Sequence, residues 1–335
     1  MFVCQAKSGD PRRKGGRRAL DRVLLFEQLL KQGGSVRIAL VGGTGFVGRH
    51  IGRALLDAGH EVTVLGRTPD KVGTIEALRG AGAARADVTD PASLRGALDG
   101  YEAVVNAVQL PNYPMEVPRK GLTFDRYDRR GTENLVTEAV NAGVRRFVYL
   151  SGAGADVASD KIWYRAKGFA EDAVKRSGID FVILRPSWGY GPEDKALNKF
   201  AFFARVSPVI PIPGVRPQLI QPVHVDDIAL AVARAFERDG AWGRVLEIGS
   251  DEVLTMRQVV RTLLSVMNKK RLLLPIPVAL AKLGTAPLRL LPEPPMTPLG
   301  IDFAVQNGLA DTTEMKAVLG VDPVPLAEGL ARYMH

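Results

Sequence analysis

Cysteine is almost missing from this chain of 335 residues, and the single one is Cys4. One thiol closes no intramolecular disulfide framework and supplies no cysteine-based metal cluster. No spacing of metal-ligating side chains is present, so no metal is expected. The chain has no apolar run long enough to span a bilayer. It has no apolar core ahead of a small-residue cleavage site, as a signal peptide would require, and no internal repeat. What remains, with 46% hydrophobic and 24% charged residues, is the composition of a soluble globular protein, expected in a reducing cytoplasm. The length suits one large domain, or one domain with a smaller lobe.

Acidic residues are outnumbered, and the net charge is +9. Much of the excess lies in residues 1–34, where eight lysines and arginines face only Asp10, Asp21 and Glu27, leaving +5 in the tail and +4 in the rest. The tail reads either as a basic arm for acidic partners or as a disordered extension followed by a short helix over Arg18–Gln32. The second reading is preferred, and nucleic acid is not an expected partner.

The most informative stretch is Val36–Gly48, VRIALVGGTGFVG. Ile38–Val41 reads as a buried parallel strand. A glycine-rich turn follows, then a helix with Ile51, Leu55 and Leu56 on one face. Strand, turn and helix form a phosphate-binding unit for a dinucleotide. Gly42 permits the tight turn, Gly45 a close approach of backbone N–H groups to a pyrophosphate, and Gly48 the packing of helix on strand. Thr44, Phe46 and Val47 complete the turn. The second strand, Glu61–Leu65, ends at Arg67 with Lys71 nearby. An acidic residue there would bind a ribose 2′-hydroxyl, whereas arginine suits a 2′-phosphate, so NADP(H) is expected over NAD(H). A helix near Lys71–Arg79, a strand over Ala84–Val88 and another over Tyr101–Val108 continue a βαβ pattern, which makes a doubly wound parallel sheet of Rossmann type. Residues 109–126 read as a long loop, either bland or a lid, with Arg119 and Lys120 able to meet an anion. A helix over Gly131–Ala142 and a strand over Phe147–Leu150 follow.

The spacing G-x-x-G-x-x-G of GGTGFVG resembles the short-chain dehydrogenase/reductase superfamily, in its extended and atypical, epimerase-like branch. Later landmarks extend the resemblance to about Met256: Arg185-Pro186-Ser187, Gly189-Tyr190-Gly191-Pro192 and QPVHVDDIA over Gln221–Ala229. The segments SGAGAD and WYRAK look like members related to the nucleotide-binding accessory subunit of respiratory complex I. The resemblance implies that Asp87 and Val88 meet the adenine, that Asn106, Ala107 and Val108 line the ribose and nicotinamide side, and that Pro186 lies over the nicotinamide. It implies catalysis by a tyrosine, a lysine four residues later and a hydroxyl after the preceding strand. Lys167 matches the lysine. Trp163 stands where the tyrosine should be, and an indole exchanges no proton near neutral pH. Tyr164, three residues before Lys167, shares its helix face and is the candidate substitute. Gly152 and Ala153 occupy the positions of the usual hydroxyl, and Ser151, which ends the preceding strand, is the remaining catalytic candidate, placed either near the nicotinamide or as a cap of the turn.

The expected organisation is a tail (1–34), a Rossmann domain (35–188) and a mostly C-terminal substrate lobe (189–335), with 221–248 partly returning to the Rossmann domain. His224 reads as structural, and Asp226 and Asp227 as helix-start residues. The apolar segment over 272–295 reads either as a lobe packed over the substrate cleft or as a surface for a membrane or quinone. Two functions stay open. One is an NADP(H)-dependent oxidoreductase or isomerase acting on a small organic substrate. The other is a non-catalytic NADP(H)-binding accessory or redox-sensing protein.

Overall fold

A computed structural model describes residues 34–334 except 292, 293 and 295, so the expected helix over Arg18–Gln32 lies outside the described residues. The chain runs β1 (Arg37–Val41), α1 (Phe46–Asp57), β2 (Glu61–Gly66), β3 (Gly82–Arg85), α2 (Pro91–Leu94), β4 (Ala103–Asn106), α3 (Gly131–Asn141), β5 (Arg146–Leu150), α4 (Ile162–Arg176) and β6 (Asp180–Pro186). It continues with β7 (Trp188–Tyr190), α5 (Lys195–Val206), β8 (Val209–Pro213), β9 (Leu219–Ile220), β10 (Pro222–His224), α6 (Val225–Glu237) and β11 (Arg244–Ile248). It ends with β12 (Leu254–Thr255), α7 (Met256–Val266), β13 (Leu272–Ile276), α8 (Val278–Thr285), α9 (Pro298–Ala304) and α10 (Leu326–Ala331).

Seven parallel strands form the central sheet in the order β11-β6-β5-β4-β1-β2-β3. The order reverses between β1 and β4, and the crevice at the carboxyl ends of those strands is where doubly wound sheets hold ligands. Both faces are covered, which explains the unbroken apolar runs. Along β1, Ile38 and Leu40 enter the core beneath α1 and α6. Ala39 and Val41 enter the opposite core with Leu135 of α3 and Val174 of α4. That alternation is the two-residue period of a strand buried on both sides.

The C-terminal elements build a smaller core from Leu197, Ile210, Val259, Leu263 and Leu330, with Tyr190 at its inner edge. β13 pairs with β8 in parallel, Leu272 opposite Val209 and Ile276 opposite Pro213. β11 leaves this lobe and pairs with β6 at the edge of the main sheet. His224 is 2% exposed, and its Nδ1 accepts from the Asp226 amide to cap α6, so it is structural.

Two local expectations need correction. Lys71–Arg79 is not a helix but two 3₁₀ turns, Pro69–Thr74 and Glu76–Leu78, which tuck in Val72 and Leu78. Gly73, Thr74 and Ile75 are weak helix formers in succession. The helix expected from Gly131 begins earlier, through a π-helical turn over Asp125–Arg130.

His50 on α1 joins three segments. Its Nδ1 lies 2.7 Å from Asp226 of α6, and its Nε2 lies 3.1 Å from Glu193, in the turn before α5. Two ring nitrogens facing carboxylates can both donate only as imidazolium. Burial lowers the His50 pKa, but the Asp226 and Glu193 hydrogen bonds outweigh it and raise it above 6.5. The resulting stabilisation is complete below the unfolded value and is lost as pH rises through the higher folded value. His60 and His224 are lowered by burial and act in the opposite sense. The contribution of His50 is therefore read as a difference. The thermal midpoint of His50→Gln should lie below wild type at pH 6 and converge on it as pH rises past the folded value.

Candidate functional site

One cleft of about 1180 Å³ opens at the carboxyl ends of β1 and β4 and extends beneath the C-terminal lobe. Its floor is the glycine turn: Gly42, Thr44, Gly45, Phe46, Val47 and Gly48 all line it. Gly42 has φ +86°, and a Cβ there would lie 2.8 Å from the Ala107 carbonyl. A Cβ on Gly48 would lie 2.2 Å from the Gly42 carbonyl. The start of α1 can press against β1 only because both side chains are missing. No side chain caps α1 and its first turn holds no acid, so its amides and partial positive charge face the cleft. That cradle fits a pyrophosphate.

Arg67 lines the adjoining corner with Gly66 and donates to the Tyr127 hydroxyl at 3.1 Å. Asp87 and Val88 line the same cleft, and Asp87 accepts from the Thr89 amide at 2.9 Å. Ala107, Val108 and Pro186 also line it. Asn106 does not. It is 1% exposed and points behind the wall, donating to Thr132 and accepting from the Val108 amide. Arg119 is drawn off as well, donating to the Leu290 and Leu291 carbonyls.

Lys167 of α4 reaches the cleft wall, with its side chain 7% exposed. Its Nζ lies 3.1 Å from Asp128, whose side chain is fully buried in the π-helical turn, and 5.7 Å from the centre of the Tyr149 ring. Burial opposes the ammonium, but Tyr149 and Asp128 outweigh it and the Lys167 pKa is raised. Asp128 was not legible as a site residue. It reads as one of several charges in DRYDRR, and only the π-helical turn carries it inward.

Ser151 lines the cleft, but its hydroxyl is committed to the Glu171 carboxylate at 2.6 Å. Glu171, also buried, is clasped by Arg185 through Nε at 2.8 Å and Nη2 at 2.6 Å. This cluster ties β5, α4 and β6 together. Gly152 and Ala153 line the cleft without a hydroxyl. Trp163 forms a wall, 4% exposed, donating from its indole to Gln306 at 3.1 Å. Tyr164 lines the cleft, its hydroxyl 3.5 Å from the Asn307 carbonyl, and burial raises its pKa. Tyr164 and Lys167 thus share one cavity, beyond which lie apolar side chains of the lobe, among them Phe203, Ile220, Ile276, Ile301 and Phe303.

The fold and the cleft define a doubly wound α/β protein with a crevice shaped for a dinucleotide. Residues 42–199 match the family described as NAD(P)H-binding. The chain carries an NAD(P)-binding domain and is similar to the atypical, epimerase-like short-chain dehydrogenase/reductases. It is 27% identical over 252 residues to subunit 9 of the NADH dehydrogenase [ubiquinone] 1 alpha subcomplex of Arabidopsis thaliana, covering 73% of this chain and 61% of that one. It is 29% identical over 250 residues to a ceramide reductase of Caulobacter vibrioides, covering 72% of this chain and 73% of that one. Among solved structures, an NADPH-dependent quinone oxidoreductase of Escherichia coli complexed with NADPH superimposes with a TM-score of 0.70 at 23% identity, covering 89% of this chain and 100% of that one. The chain thus spans less than two thirds of the Arabidopsis subunit's length.

The buried ion pair yields a test. Asp128→Asn removes the counter-charge and should cost about 3–5 kcal/mol in urea unfolding. The double variant Asp128→Asn/Lys167→Met should recover most of that loss. Equal losses in the single and double variants would show that the pair is not what holds Lys167.

Proposed function

We propose that the chain is an NADP(H)-dependent oxidoreductase that reduces the carbonyl group of a largely apolar substrate. One observation carries this reading: a single cavity joins the glycine turn, Arg67, Lys167 and Tyr164 to an apolar chamber in the C-terminal lobe. The pyrophosphate would rest on the amides at the start of α1. Arg67 would meet the 2′-phosphate, for which a guanidinium is a bidentate partner. Lys167, held by Asp128, would meet the nicotinamide ribose. When bound, the coenzyme supplies a hydride to the substrate carbonyl carbon. Tyr164, protonated near neutral pH, can place its phenolic proton at the carbonyl oxygen. The lobe's apolar side chains would hold the remainder of the substrate and exclude water. The Caulobacter relative, named as a ceramide reductase, supports an apolar substrate.

A second reading is favoured by Trp163. The residue four before Lys167 exchanges no proton and is tied to Gln306. With the similarity to a respiratory complex subunit, this supports a protein that binds NADP(H) without turnover.

Titration by nucleotide fluorescence, with turnover followed on long-chain carbonyls and quinones, separates the two. Arg67→Ala should weaken NADPH roughly tenfold or more, the loss of a charge-assisted hydrogen bond, and leave NADH nearly unchanged. Tyr164→Phe should lower turnover by roughly 10²–10⁴ with NADPH binding intact. Tight NADPH binding with no turnover on any substrate would favour the accessory reading, and failure to bind either nucleotide would overturn both.

A further inference from the structure

The elements that close the outer end of the cleft expose an unusual set of apolar side chains. Phe202 and Val206 of α5 are 58% and 62% exposed, Leu272 of β13 is 64%, Leu283 of α8 is 72%, and Leu290 in the 3₁₀ turn after α8 is 73%. No residue of α8 is buried. These elements belong together: β13 pairs with β8, Arg271 at its start donates to the Ala204 carbonyl of α5, and Arg119 ties the 109–126 segment to the Leu290 and Leu291 carbonyls. Their other sides face inward, where Phe203, Ile276, Leu280 and Ala281 line the cleft. The mouth is therefore apolar inside and out. Exposed apolar surface of this kind on an otherwise polar protein marks an interaction site.

Charge identifies the partner. Residues 195–216 and 266–291, which carry these side chains, contain nine lysines and arginines and no aspartate or glutamate. Beyond these segments and residues 1–34, the chain is net negative. The positive charge outside the tail is thus concentrated along these segments, with Lys282 paired to Asp302 at 2.6 Å and the other cations facing no acid of their own segments. Lys269 and Lys270 lie just before β13, and Lys195 and Lys199 on α5 line the cleft. Leucine and phenylalanine interspersed with lysine and arginine is the chemistry of a surface that sinks its apolar side chains to the acyl boundary and sets its cations among anionic headgroups. No described helix is long and apolar enough to cross a membrane, so this contact would be peripheral.

We propose that α5, β13, α8 and the following turn dock the mouth of the cleft onto an anionic lipid bilayer. An apolar ligand could then pass between bilayer and cleft without crossing water. The docking itself does not depend on the chemistry the cleft performs.

Co-sedimentation of the full chain with phosphatidylcholine vesicles, with and without phosphatidylglycerol, tests this. Wild type should sediment with the anionic vesicles and far less with the neutral ones. Phe202→Glu/Leu283→Glu/Leu290→Glu should weaken that binding by roughly tenfold or more. None of the three lines the cleft, so NADPH titration of this variant reports an intact fold. The tail variant Arg12→Gln/Arg13→Gln/Lys14→Gln should retain vesicle binding. Wild type that ignores anionic vesicles overturns the proposal. So does binding lost in the tail variant and kept in the triple variant. A vesicle-indifferent dimer that the triple variant breaks, read by analytical ultracentrifugation, would assign the surface to a second copy instead.

Discussion

The close approach of α1 to β1 is the constraint on which the rest of the site depends. A Cβ on Gly48 would lie 2.2 Å from the Gly42 carbonyl, and one on Gly42 would strike the Ala107 backbone. Without those side chains the helix can start directly at the strand's end, with its uncapped amides turned toward the crevice. The sheet order then places β4 beside β1, so that Ala107 and Val108 form the facing wall. The direction of the α1 dipole, the entry of Arg67 from β2 and the position of Lys167 across the cleft are all referred to this contact.

A second set of interactions organises the cleft wall along α4, where the tyrosine that the resemblance calls for is replaced by Trp163. Lys167 is held in a buried setting by Asp128 at 3.1 Å, and Glu171 gathers Ser151 and Arg185 one helical turn further along α4. A buried ion pair contributes little net stability but is expensive to leave half-broken. Its value here is placement, since it fixes an ammonium at the cleft wall whatever residue carries the proton. Ser151, spent on Glu171, acts as a brace, and among the residues singled out as catalytic Tyr164 is the phenol facing the chamber.

The C-terminal lobe has two roles in the same few elements. α5, β8, α7 and α10 contribute to a small core distinct from the two that flank the Rossmann sheet. The outer segments, β13 and α8, bury little, line the cleft on one side and face outward on the other. An apolar lining combined with an apolar, cationic rim suits a ligand that is itself poorly soluble in water.

Local pattern alone determined the nucleotide half. Strand runs, a glycine turn and helix periodicity are short-range signals, and the physical demand at Gly42, Gly45 and Gly48 is met within a few residues. Asp226 and Asp227 at a helix start and His224 as a structural residue were legible for the same reason. The proximity of Arg67 to the glycine turn follows from β1–β2 pairing, itself a short-range event. Tertiary structure decided what depends on distant partners. Asn106 sits at the expected strand end, yet a bond to Thr132 turns it away from the cleft. Arg119, expected to meet an anion, is held by carbonyls at Leu290 and Leu291. Asp128 becomes a site residue only because a π-helical turn rotates it toward Lys167. The cationic apolar rim arises because strand pairing joins two segments that lie dozens of residues apart, and no period or motif in either one records that pairing.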